Sequence, residues 1–505
     1  MNIGMWLRVV GLVLVLLPLH GVALSRQTYY LAPTGEDGAD GRSPATPWRS
    51  FSYAFARMRA GDELLLLDGE YSTALGTGAI HYDGRFSAQP PSGISQVEPT
   101  VVRAQHAGRV RISGTLFIGR KNRKDSNIRI EGISFEGSGN LYNSSHVTLK
   151  NCGFHGGLSV GTNDHHDGNT DNLIEDVWVW ASGARIIAIN YRSHRNVWRR
   201  VVVRGDGCGT QACSGSGNPN VGFTVYDSHD VSVQNMLIVD RILAPTDSPY
   251  SDFAVAQHTT DTRYYLGRNE WLGTISLNSP DIGYYMEPDV GQTLDPTIKI
   301  SNAVAWNSAY GGFNLARYAT NNLIENLLAH SRAGDAIRVA PELGSLGGTL
   351  RNAIALGAGR YAINSAYAPS HVSTGGSSRA FNQTDCRLGC YRSDVLSDGS
   401  LKHLTRIEVG SRLKGGGMAG ADIGPSILFR YGTDGARFGD PGFNGLSNTS
   451  LWPWPNEDRI KREMCDGNIR GFCTPAKRLD GTHDVTLTSY IWEALGNPMP
   501  KGIYP

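Results

Sequence analysis

The chain has 505 residues, 62 of them Gly, and its 47 Lys and Arg almost balance its 46 Asp and Glu, which leaves a net charge of +1. This balance excludes the strong overall field with which many proteins bind nucleic acid or an anionic membrane surface. We therefore expect a monomer that has neither nucleic acid nor a membrane as its partner.

Residues 1–25 have the pattern of a secretory signal peptide. Arg8 precedes the apolar run 9–19, and Ala23-Leu24-Ser25 is a small-x-small cleavage site. The run is too short for a membrane anchor, no Cys follows it for lipid attachment, and no later stretch is predicted to span a bilayer. We expect a mature protein that begins near Arg26, is secreted or periplasmic, and does not insert into a membrane.

Residues 26–126 are predicted to form an N-terminal cap and the first coils of a solenoid. The segment 29–35 has the pattern of a strand, 51–58 has apolar residues at helical spacing, and 59–71 contains a second strand between two turns. A strand–helix–strand unit of this kind covers the open edges at the end of a solenoid.

Residues 127–365 repeat the phrase hydrophobic–x–hydrophobic–polar–Asn/Asp–hydrophobic–x–hydrophobic. The fifth residue of the phrase, here called the frame residue, is Gly132, Asn151, Asp176, Arg200, Asn235, Asn302, Asn326 and Asn352. Most intervals between frame residues are close to 25 residues, and a strand phrase at that spacing is typical of a solenoid. The repeat therefore predicts an all-β fold, a parallel β-helix.

Two intervals between frame residues are longer than the rest. They predict long loops at 205–220 and 241–296, and the second interval has room for at least one further coil. From residue 366 to 505 the repeat is lost. Gly- and Ser-rich stretches alternate there with two helix-like runs, which predicts a mixed helical and loop cap that packs back on the barrel.

Six of the seven Cys residues lie in close pairs. In an exported protein these pairs predict the disulfides Cys208–Cys213, Cys386–Cys390 and Cys465–Cys473. Cys152 falls at an inward strand position, which predicts a buried free thiol. A zinc–thiolate site is the competing interpretation, but the chain has no CxxC motif and no interleaved His.

The opening of the mature chain resembles that of secreted right-handed parallel β-helix proteins. The matching segments are YYLAPTGEDGADG, PWRSFSYAF and GDELLLLDGEY, and polysaccharide lyases similar to the family-nine pectate lyases share this opening. With the repeats, the resemblance covers roughly residues 28–365. It implies a right-handed, single-stranded, pectin lyase-like β-helix and a polysaccharide ligand, but it names no reaction, since this scaffold hosts many activities.

Alternation along the strands predicts a column of outward side chains four residues past the frame residue. The column consists of His155, Trp180, Arg204, Val239, Trp306 and His330. Aromatic faces stack on sugar rings and Arg binds carboxylates, so the column is a candidate glycan-binding surface. The alternative is that these long side chains simply cover the sheet.

The turn at 163–171 holds three carboxylates and two His residues. Its segment Asp164-His165-His166-Asp167 is similar to the Asp-Pro-His-Asp motif of β-helix mannuronan epimerases, with His165 in place of Pro. The resemblance implies a catalytic base in this turn. The alternative is a plain Asx-rich turn.

Both β-elimination and C5 epimerisation of an acidic glycan begin when a base removes the C5 proton of a uronate whose carboxylate is neutralised. We expect His166 to be the base, Asp164 or Asp167 to orient it, and Arg204 or Arg192 to hold the carboxylate. The side chains expected to bind the sugar chain are His155, Trp180, Tyr191, Arg192, Trp306, Arg317 and His330.

Two other function classes remain open. A glycoside hydrolase would pair Asp164 or Asp167 with Asp206, and a non-catalytic adhesin would use the column for binding alone. No cofactor is certain. Candidate oxygen ligands for calcium, drawn from separate strands, are Asp247, Asp252, Asp261, Asp281, Glu287 and Asp289, with His258 nearby.

Overall fold

The computed structural model describes residues 26–82, 85–162, 169–214, 219–257, 267–288, 295–315, 322–339, 348–357 and 359–504. The chain opens with the strand β1 (Thr28–Leu31), the helix α1 (Phe51–Arg57) and the strands β2 (Glu63–Leu66) and β3 (Gly69–Tyr71). Ser50 caps the helix by accepting a hydrogen bond from the backbone N of Tyr53 at 3.2 Å. The predicted strand–helix–strand cap is therefore confirmed.

Short strands then follow one another along a parallel β-helix. The first are β4 (Thr100–Ala104), β5 (Val110–Ile112), β6 (Leu116–Ile118), β7 (Asp125–Ser126), β8 (Ile128–Glu131), β9 (Ile133–Phe135), β10 (Gly139–Leu141), β11 (Ser144–Ser145), β12 (Thr148–Lys150), β13 (Gly153–His155), β14 (Leu158–Gly161), β15 (Leu173–Glu175), β16 (Trp178–Ala181), β17 (Ile186–Tyr191), β18 (Val197–Arg199) and β19 (Val202–Gly205). The later ones are β20 (Pro219–Tyr226), β21 (Ser232–Gln234), β22 (Leu237–Val239), β23 (Ser248–Gln257), β24 (Gly267–Leu272), β25 (Ile275–Leu277), β26 (Ile282–Pro288), β27 (Asp295–Ser308), β28 (Gly311–Leu315), β29 (Asn322–Ser331), β30 (Ile337–Val339), β31 (Gly348–Leu356), β32 (Ile363–Ser365), β33 (Ser370–Ser373), β34 (Phe381–Asn382) and β35 (Leu388–Tyr391).

Apart from β7 and β11, which pair with each other, these strands belong to two long parallel sheets. The larger has 22 strands, and the smaller has 11, in the order β34-β32-β30-β28-β26-β23-β20-β17-β14-β10-β6. Equal offsets in successive coils stack, as in the inward column that runs from Phe154 through Val179 to Val203. All three side chains are fully buried in one core along the axis of the helix. The fold class predicted from the repeat is confirmed.

The frame residues lie at the bend between two strand segments of the larger sheet, and each has a left-handed backbone. Their φ angles run from +46° at Asn235 to +79° at Gly132. Asn, Asp and Gly adopt this conformation at low cost, which explains why they dominate the fifth position of the phrase. Gly273, at φ +66°, is the frame residue of the further coil predicted inside the second long interval.

Two segment boundaries in the structure differ from those predicted from the sequence. Much of 241–296 is strand rather than loop, because β23 to β26 complete an ordinary coil there. The β-helix also continues beyond residue 365, since β33 pairs in parallel with β31 and β35 with β33. The last strand is half exposed and lacks the apolar pattern, because no further coil covers it.

Residues 392–504, here called the tail, return along the outer face of the larger sheet. The frame residues guide the first half of this path, since Asn352 Oδ1 accepts from the backbone N of Met418 at 2.8 Å and Asn302 Oδ1 accepts from that of Ser426 at 2.9 Å. Further on, Asn235 Oδ1 accepts from the backbone N of Tyr431 at 2.7 Å. The tail therefore runs from the last coils toward the first, in contact with successive frame residues.

The second half of the tail covers a second hydrophobic core. The strands β36 (Phe429–Tyr431) and β37 (Leu446–Ser450) pair antiparallel, and the helices α2 (Glu457–Met464) and α3 (Leu487–Trp492) follow. Outward side chains of the larger sheet, such as Trp178, pack there against tail residues such as Trp492. Full burial of each large apolar side chain stabilises the docked tail by roughly 1.5–3 kcal/mol. Within the described residues, no helix has the length and apolar character needed to cross a bilayer.

The three predicted disulfides are present, namely Cys208–Cys213, Cys386–Cys390 and Cys465–Cys473. Cys152 is a free, buried thiol, as predicted. It lies at an inward position at the start of the second strand segment of its coil, next to the frame residue Asn151.

Cys152 is expected to resist alkylation by iodoacetamide in the native protein at neutral pH, because its thiol is buried and burial raises its pKa to about 11. After unfolding in guanidinium chloride without a reductant, intact mass should show a single alkylated Cys. Complete alkylation of the native protein at the same pH would contradict this burial.

Candidate functional site

The two sheets differ in what covers their outer faces. Among the described residues, the tail packs its hydrophobic side chains on the larger sheet, and it also reaches the turn before β18, where Arg195 donates to the backbone O of Phe438. The smaller sheet, here called the open sheet, keeps outward side chains on β6, β10, β14 and β17 that are partly exposed, at Phe117, Asn140, Ser159 and Ile189. A long ligand can therefore reach the open sheet without displacing the tail.

Tyrosines meet at the end of two neighbouring strands of the open sheet. Tyr191 ends β17 and pairs in register with Tyr226, which ends β20, and their ring centroids lie 5.1 Å apart. The next residues pair as well, because the Nε atom of Arg192 lies 3.2 Å from the Oδ2 atom of the buried Asp227. Burial and then Asp227 raise the pKa of Tyr226 to about 12, so its phenol is protonated at neutral pH.

Two imidazoles follow on the same coils. His194 stacks on His229 with ring centroids 4.7 Å apart, and His229 Nδ1 lies 2.7 Å from Asp230 Oδ2. Arg268 Nε also donates to Asp230, at 2.7 Å. Burial opposes ionisation of Asp230, but the hydrogen bonds from His229 and Arg268 prevail and hold its pKa at about 2. Asp230 is therefore a carboxylate that orients the imidazole of His229.

We call Tyr191, Arg192, His194, Tyr226, Asp227 and His229 together the turn site. It arises because Tyr191-Arg-Ser-His194 and Tyr226-Asp-Ser-His229 occupy the same position in consecutive coils. The serines lock the two turns together, since the backbone N of Ser193 donates to Ser228 Oγ at 3.2 Å. Sequence reasoning identified Tyr191 and Arg192 but missed the half of the site that the next coil supplies. The repeated Tyr-x-Ser-His motif was the signal that would have revealed it.

Asp164, His166 and Asp167 of the predicted catalytic segment lie outside the described residues, as does Arg317. The strand before the segment is described, and its last residue, Gly161, pairs in register with Tyr191. The described chain before the segment therefore ends beside the turn site, and the roles of Asp164, His166 and Asp167 stay a prediction.

The predicted outward column on the larger sheet exists, but the tail covers its centre. His155, Trp180 and Arg204 pair in register, and the rings of His155 and Trp180 stack at 5.1 Å. Only 8% of Trp180 and 1% of Arg204 are exposed. The column was expected to face solvent, and its centre does not, because the tail lies along the sheet rather than across its end.

Arg204 and Asp206 lie beneath the tail and bind each other and groups of the tail. Arg204 donates to both carboxylate oxygens of Asp206, at 2.9 and 3.0 Å, and to the backbone O of Met464. Asp206 also accepts from Arg470. Neither residue is placed to hold a substrate carboxylate or to cleave a glycosidic bond, because the tail encloses Arg204, and Arg204 in turn binds both carboxylate oxygens of Asp206.

Val239 is also fully buried, whereas His155, Trp306 and His330 are accessible in part. Trp306 and His330 are half-buried with ring centroids 4.6 Å apart, and burial lowers the pKa of His330. His155 and Trp180 line a cleft of about 350 Å³ between the larger sheet and α2. Charged residues that sequence reasoning did not identify also line this cleft, namely Arg111, Glu136, Arg462 and Asp466.

The described candidates for calcium binding do not fit that ion. Asp247 accepts from the backbone N atoms of Cys208, Gly209 and Ala244, all at 2.8 Å. Asp252 is buried against Arg241, with its Oδ1 atom 2.8 Å from Nε. Calcium requires six to eight oxygen ligands, and these lone pairs are already used.

Asp281 is the one remaining calcium candidate whose side chain the structure describes. Asp281 is half-buried, and burial raises its pKa to about 6. His258, Asp261 and Asp289 lie outside the described residues, as does the side chain of Glu287. Cys208 and Cys213 adjoin Asp247 but form a disulfide, so they offer no thiolate to a metal.

No protein-family model matches the chain, and no curated protein matches it. Among solved structures, the chain is similar to pectate lyase Pel9A at 15% identity, over 79% of this chain and 95% of that chain, with a TM-score of 0.43. It is similar to a PL6 alginate lyase in complex with a trisaccharide at 10% identity, over 70% and 72% of the two chains, with a TM-score of 0.36. A GH136 lacto-N-biosidase from Eubacterium ramulus shows 11% identity over 64% and 66%, with a TM-score of 0.37.

Proposed function

We propose that the protein is an exported, carbohydrate-active β-helix protein that acts on an acidic polysaccharide at the turn site, by β-elimination or C5 epimerisation. The observation that carries the proposal is the juxtaposition of two tyrosines, a guanidinium and two stacked imidazoles at the end of the uncovered sheet. Export is supported by the three disulfides, which form in oxidising compartments.

The chemistry assigned to the turn site follows from its groups. Arg192 binds the uronate carboxylate and lowers the barrier to removal of the C5 proton. The protonated phenol of Tyr226 donates a hydrogen bond to the developing negative charge, and the ring of Tyr191 stacks on the sugar. His166 takes the C5 proton, with Asp164 or Asp167 orienting its imidazole, as the sequence motif predicts.

The two rival classes of protein, a glycoside hydrolase and a non-catalytic adhesin, require different groups in the site. A hydrolase requires two free carboxylates, and the proposed partner Asp206 is bound by Arg204 and Arg470. Asp206 is therefore not available as the second free carboxylate that a hydrolase requires. A non-catalytic adhesin needs only the binding surface, and only an assay of product formation separates it from the enzyme.

Replacement of His166 by Ala is expected to reduce turnover by a factor of about 10²–10⁴, the usual contribution of a general base. The assay incubates the protein with a panel of acidic and neutral polysaccharides, with and without a chelator. Ultraviolet absorbance of the unsaturated uronate detects a lyase, new reducing ends without that absorbance detect a hydrolase, and proton NMR detects epimerisation. His483→Ala is the matched control, because His483 is exposed on the tail.

Three outcomes would contradict this proposal. A wild-type rate of His166→Ala on every glycan that the wild type modifies would remove the assigned base. Reducing ends without unsaturated product would identify a hydrolase. Binding of acidic glycans by the wild type without any product would identify an adhesin.

A further inference from the structure

A cavity of about 670 Å³ lies at the N-terminal end of the open sheet, apart from the turn site. Aromatic rings form one wall. Tyr82 meets Phe117 edge to face with centroids 4.7 Å apart, and Phe117 meets Tyr142 at 5.5 Å. Tyr82 is 52% exposed, although its ring contacts those of His81 and Phe117. The wall therefore presents an aromatic surface to solvent.

The opposite wall is the cationic loop 119–123. Arg120 and Arg123 both contact Asp125, which is fully buried, so one carboxylate faces two guanidinium groups. Lys121 is exposed and has no hydrogen bond or ion pair with any described residue. The ion pairs with Asp125 give the two arginines a structural role. They give none to the exposed ammonium of Lys121 or to the exposed ring of Tyr82. Together the groups leave a net positive charge beside an aromatic surface.

The cavity is aligned with the turn site across the strands. Leu141, Val160 and Asn190 pair in register on β10, β14 and β17, and the residues that follow them are Tyr142, Gly161 and Tyr191. Tyr142 and Tyr191 are thus two strands apart, roughly 10 Å at the usual spacing of 4.7–4.9 Å between strands. A linear ligand that crosses the strands of the open sheet contacts both.

We propose that this cavity is a binding subsite for an anionic sugar residue, in which Tyr82 stacks on the sugar ring and Lys121 binds its carboxylate or sulfate group. The inference rests on the proposed function, because it assigns the distal part of the same polysaccharide to this end of the sheet. Aromatic stacking provides affinity with little geometric demand, and the exposed ammonium favours an acidic over a neutral sugar.

The test is isothermal titration calorimetry at low ionic strength with polygalacturonate and alginate oligosaccharides, and with their carboxyl-reduced, neutral counterparts. Tyr82→Ala is expected to weaken binding of the acidic oligosaccharides about tenfold. Lys121→Ala is expected to weaken it about three- to tenfold, with no change for the neutral counterparts. The matched controls Tyr310→Ala and Lys402→Ala also replace exposed residues and should leave the affinity unchanged.

Wild-type affinity in Tyr82→Ala overturns the subsite, and so does an equal loss of acidic and neutral binding in Lys121→Ala. Failure of the wild type to bind any of the acidic oligosaccharides overturns it as well. Turnover of polysaccharides is measured separately, so the proposed function stands if product forms while the subsite fails. Thermal unfolding of both variants should match the wild type, because the replaced side chains are exposed.

Discussion

Replacement of Arg199 by Ala is expected to lower the free energy of unfolding by about 3–5 kcal/mol, the usual cost of breaking a buried ion pair. The Arg199 side chain is fully buried and donates to Glu175 Oε1 at 2.9 Å and to Gln234 Oε1 at 2.7 Å. It also donates to three backbone carbonyls of the tail, those of Thr433, Ala436 and Phe443, at 2.7–3.0 Å. Its loss leaves these acceptors buried and unsatisfied, so the tail should detach first.

Urea unfolding measures this effect, and limited proteolysis reports whether the tail is released. Arg351→Ala is the matched control, because Arg351 also pairs with a Glu on the same sheet, at 2.6 Å, but is 31% exposed. A partly exposed pair contributes about 0–1 kcal/mol. Equal losses of stability in the two variants would show that the contacts of Arg199 with the tail contribute nothing.

The same ion pair gives the docked tail a defined response to acid. Burial opposes the ionisation of Glu175, but Arg200, Lys150 and Arg199 outweigh it and lower its pKa from 4.5 to about 2. A carboxyl whose pKa falls on folding stabilises the fold above its unfolded pKa, so this contribution is lost as the pH falls from about 4.5 to 2. In Glu175→Gln this part of the pH dependence should disappear.

Replacement of Arg192 by Ala is expected to reduce kcat/KM on acidic polysaccharide by about 10²–10³, the usual loss when one group that stabilises transition-state charge is removed. Arg192→Lys should recover part of the activity, since the charge remains but the planar fork is lost. Activity is followed by the same product assays as for His166. The physical reason is that Arg192 is the guanidinium of the turn site, whereas Arg204 is enclosed beneath the tail.

Arg195→Ala is the control for this prediction. Arg195 belongs to the same turn and has a similar left-handed backbone, with φ +57°, but it contacts Asp171 and the ring of Phe438 in the tail. Its loss should leave kcat/KM within a factor of about two, a change of a few tenths of a kcal/mol. Thermal unfolding is recorded in parallel, because Asp227 is buried and loses one partner in Arg192→Ala. Wild-type kcat/KM in a folded Arg192→Ala would remove the assigned role.

The β-helix was predictable because its repeat is enforced locally. Each coil needs a residue that tolerates positive φ at the bend, and this need places Asn, Asp or Gly at a fixed offset between apolar strand positions. Arg200 departs from this pattern, and buried contacts with Asp176 support it, at 2.6 and 2.9 Å. The position of each strand therefore followed from residues close to it in the chain.

The path of the tail was not predictable in this way. Its contacts join residues far apart in the chain, such as Asn352 with Met418 and Arg199 with Phe443, and they use backbone groups that carry no sequence signal. The predicted outward column was correct in register but wrong in exposure for the same reason. The turn site was predictable in part. Its second half repeats a motif that was present in the sequence, and a comparison between coils would have revealed it.

The contacts between frame residues and tail also limit how such a protein can evolve. Because the tail meets Asn352, Asn302 and Asn235 in reverse chain order, insertion or deletion of one coil would displace every later contact by one strand spacing, about 4.8 Å. Solenoids commonly change length by duplication of whole repeats. Here a duplication is tolerated only if the tail gains a matching segment, so coil number and tail length are expected to change together among related chains.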